Sequence, residues 1–258
     1  MSLNELFNNK FEVIKYGDQR IQPLAYQDDI GDICLDIEMM KNHVNSLEKM
    51  FKQKNIEAHK DKSGISILGS ENYIKNTELD LDLNPIVFND FELKVKCEQK
   101  YLGQILCANL SMSAYRTVKE RENRIKGATL EIKSIVDDFR MQRMAGLVAA
   151  WELWERALLP SLLAGAGSWI GNIDETVDLC NKIQNFYWRT ILEVPISCPK
   201  IALQSETNMI DMKLRIWKLK CLLLIRLKNL DDDSLAKEIW IEERKNNWPG
   251  IGREVSKI

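Results

Sequence analysis

The spacing of apolar residues changes character near residue 110, and that change limits the architectures open to the chain. Before it, apolar residues come in short runs separated by turn-forming dipeptides. After it, they recur every three or four residues almost without a break, which is the period of a helix face. A chain patterned this way segregates its strands from most of its helices, an α+β arrangement. The 258 residues divide on this basis into a mixed region, 1–109, and a helical region, 110–258.

In the mixed region, Phe11 to Tyr16 and Ile21 to Tyr26 are strand-like, and Gly17-Asp18 between them is a hairpin turn signal. A second reversal is expected at Gln27-Asp28-Asp29. Asp36 is placed to cap a helix in which Ile37, Met40, Val44, Leu47, Met50 and Phe51 recur at helical spacing through about Lys54. This is the one helix expected before residue 110. Ile65 to Leu68 predict a short strand. Val87-Phe88 and Phe91 to Leu93 predict a hairpin turning at Asn89-Asp90, and Tyr101-Leu102-Gly103 leads into extended Ile105-Leu106. In the helical region the expected helices are Tyr115 to Val136, Phe139 to Leu159, Thr176 to Leu192, Met209 to Leu227 and Ser234 to Asn247. Pro160 is expected to stop the second of these and Asp174 to cap the third.

Composition excludes several classes of function. Lys and Arg number 36 against 38 Asp and Glu, a net charge of -2. A chain so balanced does not bind nucleic acid by overall charge, and any such contact needs a local basic face. The N-terminus has no apolar leader pattern, and no apolar stretch approaches the ~20 residues that span a bilayer. The expectation is a soluble protein, cytoplasmic or nuclear, with no membrane partner. The six cysteines are scattered, without CxxC spacing and without nearby histidines in sequence. Reduced thiols and no zinc site are expected. His43 and His59 are likewise expected to lack a Ser, Cys or acid constellation, which excludes hydrolysis by a His base.

The residues that carry chemistry are Tyr26-Gln27-Asp28-Asp29, with Leu24, Ala25 and Ile30 around them. Adjacent carboxylates repel and solvate poorly inside a strand. At a turn they can converge on a hard cation such as Mg²⁺, or equally remain a solvated turn. Downstream follow a helix, Asp61-Lys62-Ser63, a strand and Tyr101-Leu102-Gly103. In that order these segments resemble the reverse transcriptases of non-LTR retrotransposons. Tyr26 to Asp29 is similar to the family's motif C, with Gln27 at a position that often holds alanine. Lys62 matches the motif D lysine, with His59 in place of the usual Asn, and Tyr101 to Gly103 match motif E, the primer grip.

The resemblance implies a partial polymerase palm over 1–109, bearing motifs C, D and E, and a thumb-like helical region over 110–258. Trp169 would stand for the recurring tryptophan beyond the thumb. It implies an RNA-directed DNA polymerase of a mobile element, with RNA template, DNA primer and dNTP as partners. Asp28 and Asp29 would ligate Mg²⁺ or Mn²⁺. Lys62 would protonate the leaving pyrophosphate, and Tyr101, Leu102 and Gly103 would hold the primer end. No motif A aspartate and no motif B precede Tyr26 within these residues. The metal is therefore expected to bind weakly and the chain alone to be inactive, as a truncated or decayed copy or a piece of a longer reading frame.

Arg116, Lys119, Arg121, Arg124 and Lys126 form a basic cluster that would contact template–primer phosphates. Interleaved Glu120 and Glu122 give the competing reading of a solvated helix face. Trp151, Trp154, Tyr187 and Trp188 lie among aliphatic residues at helical spacing and are expected in the core rather than stacked on bases. Two other classes of function remain open: a non-catalytic nucleic-acid-binding or structural remnant, and a helical interaction protein with no nucleic-acid affinity.

Overall fold

A computed structural model describes residues 14–16, 19–21, 24–26, 29–69, 71–138, 143–171 and 173–246. The chain is α+β: helices dominate, and the strands are short and antiparallel. By compactness it divides into two units, one of residues up to Leu110 together with Leu230–Asn246, the other centred on Ser111–Asn229.

The first unit opens with two hairpins. β1 (Ile14–Tyr16) pairs with β2 (Gln19–Ile21), and β3 (Leu24–Tyr26) pairs with β4 (Asp29–Gly31). The expected single run from Ile21 to Tyr26 is thus two strands. Pro23, which has no N–H for a ladder, lies in the sequence between them. Helix α1 (Ile37–Lys54) follows the predicted pattern: the Asp36 carboxylate accepts from the Met39 backbone N–H at 2.7 Å, and Asn55 closes the helix in the left-handed conformation. A second helix, α2 (Glu71–Leu83), was not expected. Leu79, Leu81 and Leu83 alternate as they would in a strand, yet of the helix's residues only Leu81 is buried, so its sequence carries no broad apolar stripe.

β5 (Val87–Phe88) and β6 (Phe91–Glu92) form the expected hairpin, with Asn89 and Asp90 both at positive φ. β7 (Glu98–Tyr101) and β8 (Gln104–Cys107) form another across Leu102-Gly103. The predicted strand at Ile65 to Leu68 is reduced to a single bridge between Ile65 and Val95. The unit's core gathers Val44, Met50, Phe51, Ile65, Ile67, Leu81, Ile86 and Phe88. Phe51 meets Phe88 edge-on, with ring centroids 5.3 Å apart. The late helix α9 (Leu235–Lys245) belongs to this unit.

The second unit is helical: α3 (Ser113–Asp138), α4 (Arg143–Leu153), α5 (Leu159–Leu162), α6 (Asp174–Leu192), α7 (Lys200–Thr207) and α8 (Met212–Lys228). Pro160 does not stop the chain's helical course, contrary to expectation. A π-helical segment, Trp154–Leu158, joins α4 to α5, and the Leu159 N–H reaches back to Trp154 O. Pro160 sits in the first turn of α5, where the missing N–H costs little. Asp174 is the first residue of α6 rather than its cap. Trp154, Leu162, Ile183, Tyr187, Met212 and Ile216 are fully enclosed in the core. A Cβ on Gly167 would stand 3.1 Å from Leu219 O, tighter than most Cβ contacts, so glycine eases the close approach of that turn to α8.

Candidate functional site

The Tyr26–Asp29 segment is a hairpin. Tyr26 and Asp29 are register partners at the end of the β3–β4 pairing. Gln27 and Asp28 lie outside the described residues. Asp29 heads β4 and is exposed. Two residues on, Gly31 meets the aromatic ring of Tyr101: a Cβ at Gly31 would lie 3.1 Å from Tyr101 Cε2 and 3.2 Å from Cζ. The ring therefore packs close to bare backbone, and a Cβ at Gly31 would require it to give way slightly. Burial, and then the charge of Asp29, raise the Tyr101 phenol above its ordinary pKa. Two segments 70 residues or so apart in sequence, Asp29–Gly31 and Tyr101, are neighbours in this unit.

Leu102 and Gly103 form the β7–β8 turn with φ of 46° and 75°. Both central residues of such a two-residue turn need positive φ. Gly103 adopts it freely, while Leu102 holds it at a steric cost of ~1–2 kcal/mol and is 47% exposed. Lys62 is exposed on a turn in which the Lys62 and Ser63 N–H groups both donate to His59 O. That turn is fastened to the strand leading to Tyr101: Gln99 Nε2 donates to Lys62 O at 2.9 Å, and Lys96 Nζ to Asp61 O at 2.8 Å. Among the described residues no ion pair joins Lys62 to Asp29.

A cluster that sequence reasoning missed lies just beyond β4. His43, 3% exposed on α1, donates from Nδ1 to Asp32 Oδ2 at 2.6 Å, since an ionised carboxylate can only accept. Cys34 Sγ is 3.6 Å from the same nitrogen and 3.8 Å from the same carboxylate oxygen. The expectations that neither histidine has an acid or thiol constellation, and that the cysteines lack a partner histidine, are both corrected here. Asp32 and Cys34 precede His43 by 11 and 9 residues, a separation that no short motif covers. The chain closes it by folding back between β4 and the start of α1. Burial, with the Asp32 carboxylate as the next cause, pushes the Cys34 thiol up to about 12.

The basic cluster of α3 is largely spoken for within its own helix. Lys119 and Lys126 grip Glu122 at 2.6 and 2.7 Å and hold its carboxyl below the usual range. Arg124 lies 3.5 Å from Glu120. Arg116, Lys119 and Arg124 are exposed and Lys126 is half-buried. Arg121 corrects its assignment as a phosphate contact. It is 5% exposed, and its Nη1 donates to Leu162 O and Ala164 O at 3.0 and 2.9 Å. Those carbonyls lie at the C-terminal end of α5, where helical partners run out. Trp154, Tyr187 and Trp188 are in the core as expected, with Tyr187 Oη donating to Ala150 O at 2.6 Å. Trp151 is 44% exposed, which corrects its expected place in the core. Trp169 is buried, and its carbonyl accepts from the enclosed Lys220 ammonium at 2.6 Å.

Mg²⁺ favours six oxygen ligands in octahedral array. The described part of the hairpin offers one carboxylate, Asp29, and the nearby Asp32 carboxylate is engaged by His43. The only metal-capable group of three among the described residues is Asp32, Cys34 and His43. The residues described therefore do not by themselves fit a Mg²⁺ centre. No helix among them is long and apolar enough to cross a membrane. Compared with known proteins, the chain matches no family model, no curated protein and no solved structure.

Proposed function

We propose that this chain is the C-terminal part of a retrotransposon-type reverse transcriptase, carrying motifs C, D and E of the palm and a thumb-like helical region. The observation that carries this reading is the adjacency of Asp29 and Tyr101. A Tyr-x-Asp-Asp hairpin and a Tyr-Leu-Gly turn are distant in sequence, and they meet through the contact of the Tyr101 ring with Gly31. A primer end held at such a turn would lie beside the acidic hairpin. Support also comes from the strained, exposed tip at Leu102, since backbone strain is kept where a site requires it. The turn bearing Lys62 is tied by hydrogen bonds to the same strand.

In this reading Asp28 and Asp29 are ligands of Mg²⁺ or Mn²⁺, Lys62 assists pyrophosphate departure, and Tyr101, Leu102 and Gly103 grip the primer. Arg116, Lys119, Arg124 and Lys126 face the template–primer backbone; Arg121 does not. Nucleotidyl transfer depends on positioning and on charge neutralisation by more than one carboxylate source. A polypeptide of these residues therefore binds RNA template annealed to DNA primer but does not extend it.

Two measurements on the full chain test this. Fluorescence anisotropy with a primed RNA template should show affinity that falls steeply with salt, weakened severalfold by Tyr101→Ala. Primer extension with Mg²⁺ or Mn²⁺ should show no synthesis. Absence of affinity at low salt would favour a helical interaction protein instead, and robust extension would overturn the predicted inactivity. Binding that is insensitive to Tyr101→Ala would favour a non-catalytic nucleic-acid-binding remnant.

A further inference from the structure

The Asp32, Cys34 and His43 side chains present an oxygen, a sulfur and a nitrogen, all within 4.8 Å of one another. We propose that they form a binding site for a Zn²⁺-class transition-metal ion, the ion taking the place of the proton that His43 Nδ1 now directs at Asp32 Oδ2. This site is separate from the polymerase reading and does not depend on it.

The donor chemistry selects the ion. Zn²⁺ accepts thiolate, imidazole and carboxylate together, whereas Mg²⁺ and Ca²⁺ want oxygen donors alone. The geometry is close to what a tetrahedral ion needs. Metal–ligand bonds of about 2.0–2.3 Å place neighbouring ligand atoms roughly 3.3–3.7 Å apart. Cys34 Sγ and His43 Nδ1 are already at 3.6 Å, and Cys34 Sγ and Asp32 Oδ2 at 3.8 Å. Only the His43–Asp32 contact, at 2.6 Å, must open, by ~0.7 Å on those bond lengths. Asp32 is the member able to yield: its side chain is 16% exposed and follows the end of β4, while His43 is anchored within α1. Three protein ligands leave a fourth position for water or an external ligand.

The competing assignment, a Cys–His nucleophile pair, fails on geometry. A triad sets its nucleophile and its orienting acid on opposite ring nitrogens. Here the thiol and the carboxylate converge on the same one, Nδ1. That convergence is what a metal requires. On binding, the Cys34 thiol gives up its proton, and the neutral imidazole carries its single proton on Nε2 so that the Nδ1 lone pair can coordinate. Net proton release makes affinity rise with pH. The bound ion would fasten the exit of β4 to α1.

The test is titration of the full reduced chain with Co²⁺, followed by displacement with Zn²⁺. One equivalent of Co²⁺ should produce thiolate-to-cobalt charge-transfer absorption, and Zn²⁺ should abolish it. The band should vanish in Cys34→Ser and persist in Cys97→Ser. Asp32→Asn keeps the thiolate, so its band should remain with affinity lowered on the order of tenfold or more. In the unaltered protein, Zn²⁺ should protect Cys34 from alkylation, read by mass spectrometry, which keeps the test valid if a variant fails to fold. No band in the unaltered chain, a band that survives Cys34→Ser, or alkylation of Cys34 that ignores Zn²⁺ would each overturn the site.

Discussion

Arg121 holds two carbonyls where α5 ends, Leu162 O and Ala164 O, and it does so from inside the core. Arg121→Met keeps most of the volume but removes the guanidinium's hydrogen bonds to both carbonyls. The expected cost is about 2–4 kcal/mol, read as a lower urea midpoint. Arg124→Gln, on the exposed side of the same helix, should change stability by no more than about 0.5 kcal/mol. Residue type and charge do not separate the two arginines; the signal that does is spacing, since Arg121 stands three residues after Val118 and four before Ile125 on the buried face of the helix. Cys34 poses the same problem with its chemistry reversed. Its thiol is pushed from 9.0 up to about 12, so near pH 8 it stays protonated and the nucleophilic thiolate is scarce. Metal-free chain should therefore alkylate at Cys34 at least about tenfold more slowly than at exposed Cys97. As pH rises past about 9 the unfolded state gives up this proton before the folded state does, so the contribution of Cys34 falls between pH 9 and 12.

Elements with strong local signals formed where they were expected. α1 has both a cap and a periodic apolar face, and Asp36 alone is worth ~1 kcal/mol to it. The β5–β6 turn at Asn89-Asp90 uses residues that tolerate positive φ. α2 and α7 escaped notice because a helix that buries one or two side chains leaves little periodicity to detect. Pro160 misled because the ladder's missing donor is absorbed by the wider π turn before it, a compensation visible only in three dimensions. The β7–β8 turn gives a direct test of local strain. Leu102 sits at φ 46°, so Leu102→Asn should raise stability by roughly 0.5–1 kcal/mol in urea unfolding. If the tip grips a primer, the same variant should weaken primed-template binding while it stabilises the fold.

At the scale of the whole molecule, the two hydrophobic clusters formed by the described residues share no member. Ile67→Val in one and Ile183→Val in the other should each cost about 0.5–1.5 kcal/mol. Their combined effect should equal the sum within about 0.5 kcal/mol, measured in a double-mutant cycle, and a larger coupling would contradict independent cores. Sequence alone determined the α+β class, the Asn89-Asp90 turn, most of the helices and the strand pairing of the acidic hairpin, because each depends on contacts within a few residues, where period and turn chemistry act directly. Tertiary structure alone decided that Tyr101 lies against Gly31, that Arg121 turns inward, and that His43 meets Asp32 and Cys34. Those contacts join residues separated by 9 to 70 or so positions. Local spacing puts Arg121 on the buried face of its helix, but it names none of the partners, which follow from which faces the packed elements bring together.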